Sequence, residues 1–82
     1  MTINEADRLY QCIGPEVFER RLAQEQGKGG KWLHLLPDLT PAYLERYDCA
    51  SPFRKHPDNI VKARVVLNGS AFHVDANGKR LD

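Results

Sequence analysis

The sequence predicts an α+β fold: an N-terminal helical hairpin, a short strand, a third short helix and a C-terminal antiparallel β-meander, with the helices packed on one sheet face. Three observations carry this expectation. Residues 60–76, IVKARVVLNGSAFHVDA, set two runs rich in β-branched residues on either side of Asn68-Gly69, a strong hairpin signal. Asn77-Gly78 then repeats the turn dipeptide. Before residue 27, apolar residues recur at helical intervals between start and stop signals.

The first helix is expected to open at the capping box of Thr2 and Glu5 and to bury Ile3, Ala6, Leu9, Tyr10 and Ile13. Gly14-Pro15 ends it and starts a second helix, which runs to Gln26 with Gly27 as its cap and Val17, Phe18 and Leu22 as its apolar stripe. Lys28-Gly29-Gly30-Lys31 reads as an open loop. Trp32-Leu33-His34-Leu35-Leu36 is too short for a helix and reads as a strand. Thr40-Pro41 supplies the cap and first position of a third helix over residues 41–48, with Tyr43, Leu44 and Tyr47 on its apolar face. Residues 50–59 hold two prolines and read as a loop that Phe53 anchors in the core.

A type I′ turn at Asn68-Gly69 dictates the register that follows: Leu67 opposes Ser70, Val65 opposes Phe72, Arg64 opposes His73, Ala63 opposes Val74 and Lys62 opposes Asp75. Val61, Ala63, Val65, Leu67, Phe72, Val74 and Ala76 then share an apolar face. Lys62, Arg64, His73 and Asp75 share the polar one, with Lys62 and Asp75 as a cross-strand ion pair. A two-residue turn at Asn77-Gly78 would set Asp75 opposite Arg80 and Val74 opposite Leu81.

At 82 residues the chain, 1–82, is expected to be one domain. Its net charge of +1 excludes the strongly basic balance of a nucleic-acid coat. The charge is unevenly spread: residues 1–27 hold five acids and three arginines, residues 28–82 nine bases and six acids. Cys12 and Cys49 are read as buried free thiols in a reducing, cytoplasmic setting, and no apolar run is long enough for a membrane span.

Cys12, His34, Cys49, His56 and His73 are metal-ligand types, but no two are spaced as a local ligand pair, so no metal site and no cofactor are expected. Ser51, Ser70 and the cysteines lack an activating context, and the two-glycine loop lacks the phosphate-cradle motif. The chain therefore reads as a non-enzymatic binding or regulatory protein that contacts another protein or its own copy, with strand 60–67 as a candidate open edge. The alternative is a nucleic-acid-binding module on the basic polar face and the 54–56 loop. The candidate binding residues are Lys62, Arg64, His73, Asp75, Arg54 and Lys55.

Overall fold

The structure, a computed structural model, describes residues 9–27 and 29–81, and every named element in it is a β-strand. Strands β1 (Tyr10–Val17), β2 (Arg20–Glu25) and β3 (Trp32–Leu35) form one antiparallel sheet in that order. Strands β4 (Cys49–Ala50), β5 (Arg54–Lys55), β6 (Val61–Leu67) and β7 (Ser70–Asp75) form a second sheet around β6. The α+β expectation is thereby corrected to two antiparallel sheets.

Where a helical hairpin was expected, the chain makes a β-hairpin. The Thr2–Glu5 capping box lies outside the described residues, but Tyr10 to Ile13 belong to β1, and the second predicted helix is split between β1 and β2. The connecting turn is Phe18-Glu19, both at positive φ (54° and 58°). It has the geometry of a type I′ turn without the Asn or Gly that normally announces one. The described residues of the supposed helical stripes do not share one buried face: Leu9, Ile13 and Phe18 are exposed, whereas Tyr10 and Leu22 are buried. Gly14-Pro15 serves a different purpose from the one expected. The register slips between Cys12 and Glu16, and this dipeptide occupies the bulge, where Pro15 forfeits no ladder bond. A Cβ on Gly14 would lie 2.6 Å from the Leu22 Cβ, so the missing side chain lets β2 close on β1.

The strand predicted at residues 32–36 is present as β3, paired with β2 so that Leu22 faces His34 and Ala23 faces Leu33. Leu33, His34 and Leu35 are all fully buried. Both faces of β3 are covered, which is why its sequence shows no alternation. Its other edge meets residues 41–47, the stretch expected to be the third helix. That stretch is extended and bent, with bridges Leu35↔Pro41 and Trp32↔Tyr47. Thr40 caps nothing; its amide and hydroxyl both donate to the Asp38 carboxylate, at 3.0 and 2.6 Å. The carbonyls of Tyr43, Leu44 and Glu45, which a helix would turn toward its own amides, accept instead from the Arg46 guanidinium.

The β6–β7 hairpin has the predicted register from Lys62↔Asp75 to Leu67↔Ser70, with Asn68 and Gly69 both at positive φ. Ala63, Val65, Phe72 and Val74 are buried, as the apolar face requires. Among the described residues no helix covers them: they join Tyr43, Tyr47, Phe53 and the buried residues of β2 and β3 in one cluster. Ring contacts run through it from Phe53 to His34, Tyr43, Tyr47 and Phe72. The Arg20 guanidinium links the sheets by donating to the Ala76 carbonyl at 2.8 Å.

Three details of the second sheet differ from expectation. First, the 50–59 loop holds β4 and β5, which lie together along one side of β6 while β7 lies along the other, so β6 is a central strand and not an edge. Second, the last turn uses three residues: Gly78 donates to the Asp75 carbonyl, and Val74 pairs with Arg80, one position from the predicted register. The slip turns Leu81 outward and lays the Arg80 guanidinium over the Phe72 ring, 4.2 Å from its centroid. Third, Lys62 and Asp75 are in register, yet Lys62 pairs with Asp58 at 3.1 Å. The two cysteines are free as expected, but exposed instead of buried.

Candidate anion-binding groove

The polar side of the second sheet carries a groove of about 250 Å³ lined by Ser51, Pro52, Arg54, His56, Lys62, Arg64 and His73. Strand pairing assembles it. Arg54 lies directly opposite Lys62, and Arg64 directly opposite His73, so side chains from β5, β6 and β7 converge on one face. His56 follows β5 and starts the tight turn to β6, where the Asn59 amide donates to its carbonyl at 2.8 Å and Asn59 takes the left-handed conformation. The imidazoles of His56 and His73 meet edge to face, with centroids 5.7 Å apart.

One wall of the groove is a β-bulge. Between β4 and β5 the three residues 51–53 face only two residues of β6, 63 and 64. Ser51 repairs the interrupted ladder. Its amide donates to the Arg64 carbonyl at 2.9 Å, and its hydroxyl accepts from the Arg64 amide at 3.0 Å. That leaves the Ser51 carbonyl free to turn inward and accept from His34 Nε2 at 2.7 Å. Because a carbonyl only accepts, Nε2 holds the proton, and Nδ1 accepts from the Tyr43 hydroxyl at 2.6 Å. Burial drives the His34 pKa down to about 4, outweighing the carbonyl bond that favours the charged form; the nearby charge of Arg20 lowers it further. Burial, with Tyr47 beside it, pushes the Tyr43 phenol well up. This neutral, fully bonded pair holds the bulge from behind the groove.

The electrostatics of the groove are one-sided. Arg54, Lys62 and Arg64 supply three cations, and among the described residues no ion pair or side-chain hydrogen bond engages the guanidinium of Arg54 or of Arg64. Lys62 is paired with Asp58 at 3.1 Å. The Asp58 carboxyl pKa is lowered first by the Ile60 amide, then by Lys62.

Of the residues the sequence singles out, Arg54, Lys62, Arg64 and His73 come together here. Lys55 does not: it lies opposite Val61, on the other face of β5. Asp75 is used in the last turn, where its carboxylate accepts from the amides of Asn77 and Lys79, both at 2.9 Å. Ser51 and Pro52 escape a sequence reading because a bulge has no local signature there. Among the described residues no three His, Cys, Asp or Glu side chains gather as metal ligands. No described helix is long and apolar enough to cross a membrane. Comparison of the chain with protein families, curated proteins and solved structures finds no match in any of the three.

Proposed function

We propose that this chain is a non-enzymatic binding domain that holds nucleic acid by its phosphates in the β5–β6–β7 groove. The observation that carries the reading is the convergence of Arg54, Lys62 and Arg64 from two adjacent strands on one concavity whose lining holds no Asp or Glu. Guanidinium forks suit phosphate oxygens. The groove lining contains no Phe, Tyr or Trp, so bases have no stacking platform of the kind sheet-based readers use, and affinity rests on the backbone and tolerates sequence change. The exposed free thiols of Cys12 and Cys49 suit a cytoplasmic setting.

The test is fluorescence anisotropy with a labelled single-stranded oligonucleotide over a salt series. Engagement of two to three phosphates gives a slope of log affinity against log salt of about −1.5 to −2. The double variant Arg54→Glu/Arg64→Glu abolishes binding and keeps the wild-type circular dichroism spectrum. Absence of binding at low salt would overturn the reading.

A second reading, a protein partner, is favoured by a different observation. Strand β1 is an edge of the first sheet among the described residues, and Leu9, Ile13 and Phe18 are exposed on it or beside it. The candidate edge therefore moves from β6 to β1. Light scattering over a concentration series, with Ile13→Lys as control, separates self-association from a monomer.

A further inference from the structure

We infer that the groove is a seat for a phosphomonoester, the dianionic terminal phosphate of a nucleic-acid strand, held between the guanidinium forks of Arg54 and Arg64. The inference rests on the nucleic-acid reading of the groove and deepens it by naming the part of the strand that binds. Arg54 rejoins the ladder directly after the bulge and lies opposite Lys62, and Arg64 is two residues farther along β6 on the same face. Arg54 and Arg64 are therefore diagonal neighbours across the pair of strands. Diagonal neighbours have Cα atoms about 7–8 Å apart, a span that two long side chains close between them. Both line the same concavity, and among the described residues no ion pair or side-chain hydrogen bond engages either guanidinium.

The third cation is already engaged: Lys62 pairs with Asp58 at 3.1 Å, and the same carboxylate accepts from the Ile60 amide. Two arginine charges remain, and a phosphomonoester near neutrality carries close to two negative ones where a phosphodiester carries one. The oxygen count points the same way. Each guanidinium fork engages a pair of adjacent oxygens. A terminal phosphate has three unesterified oxygens, so two forks grip it along two different edges. A phosphodiester inside a strand has two, which form a single edge and satisfy one fork. The Ser51 hydroxyl already donates to the Pro52 carbonyl and accepts from the Arg64 amide, so it has no proton to offer the ligand. Size agrees as well: a volume of about 250 Å³ lies below the roughly 300–1,000 Å³ of small-molecule pockets, so the groove encloses one phosphate and its sugar and leaves the next phosphates at its rim. No covalent bond forms or breaks.

Titration calorimetry on the intact chain leaves both ends of the strand unlabelled. It compares three oligothymidylates at fixed salt and about pH 7.5, where a terminal phosphate has lost most of its second proton. One carries a 5′-phosphate, one a 3′-phosphate, and the third carries neither but is two nucleotides longer, which matches the total charge. The expected result is that a phosphorylated end binds about tenfold or more tighter than the charge-matched strand. Arg54→Lys/Arg64→Lys keeps both charges and removes both forks. Both positions are exposed, so the variant keeps the wild-type circular dichroism spectrum. It retains binding of the unphosphorylated strand and brings the preference for a phosphorylated end below about threefold. Equal binding of the three strands overturns the inference and leaves the groove as a phosphodiester site. A preference that survives undiminished in the lysine pair overturns it as well, since charge without forks would then suffice. Thymidine monophosphate that binds as tightly as the phosphorylated strands overturns the assignment to a strand end, and a phosphoserine peptide that binds more tightly than they do overturns it too. Loss of binding of every strand overturns this inference and the nucleic-acid reading together.

Discussion

Acidification from pH 7 to pH 4 should cost the fold about 3 kcal/mol through His34 alone. In the unfolded chain the imidazole titrates at its ordinary 6.5, whereas in the fold burial lowers it to about 4. Between those values the unfolded state binds a proton that the folded state refuses, so stability is complete above pH 6.5 and falls as pH drops toward 4. The gap between 6.5 and about 4 is worth about 3 kcal/mol, a large share of the roughly 5–10 kcal/mol expected for a domain of this size. The structure also says which contact fails. A protonated His34 still donates from Nε2 to Ser51, but Nδ1 becomes a donor, so the Tyr43 hydroxyl must turn to accept from it and its own proton loses the Nδ1 acceptor. Other acid-linked losses fall lower. The carboxyls of Asp38, Asp48 and Asp58 are held below 3.8 by the Thr40 hydroxyl, Lys31 and the Ile60 amide respectively, so their contributions are present above 3.8 and fade beneath it. Urea titrations followed by Trp32 fluorescence, run at intervals from pH 7 to 4 on the wild type and on His34→Gln, isolate the effect. Glutamine can still donate to Ser51 and accept from Tyr43 but does not titrate. The wild type should lose about 3 kcal/mol relative to the variant's own pH profile. Parallel profiles for the two proteins would refute the buried-neutral assignment of His34.

Tyr43→Phe removes the hydroxyl bonded to His34 Nδ1 and leaves a buried acceptor unpaired, for a loss of about 1–3 kcal/mol at neutral pH; an unchanged urea midpoint would show that the bond contributes nothing. Gly78→Ala should destabilise by about 2–4 kcal/mol, because the residue lies at a φ of 82° and its Cβ would sit 2.6 Å from the Tyr43 Cγ, a combined strain and overpacking visible in the same urea titration.

The second hairpin was legible because its signals are local and agree with one another. Asn68-Gly69 takes positive φ readily, and alternation along 61–67 and 70–75 admits one register that buries the valines and Phe72. The same alternation brought Lys62, Arg64 and His73 to one face, and Arg54 joined them from the adjoining basic run. The first hairpin was not legible. Phe18-Glu19 carries no turn chemistry although both residues are left-handed, and the next residue, Arg20, is tied to the Ala76 carbonyl far along the chain. Spacing at three and four suggests a helix, but a helical stripe must be buried together, and here Leu9, Ile13 and Phe18 are exposed while Tyr10 and Leu22 are buried. Residues 41–48 misled for a related reason: Thr40-Pro41 resembles a helix start, yet the carbonyls that a helix would satisfy internally go to the Arg46 side chain.

Short-range stereochemistry thus settles one hairpin, its register and the charged character of its outer face, because turn propensity and side-chain alternation act within a few residues. Pairing across the chain settles the rest. The bulge at Ser51, the inward turn of its carbonyl to His34, the one-residue slip that lays Arg80 on Phe72 and the meeting of His56 with His73 all depend on groups far apart in sequence. No local pattern encodes such contacts: the His34 bond to the Ser51 carbonyl crosses between the two sheets, and the others lie within the second sheet, between residues that only strand pairing brings together.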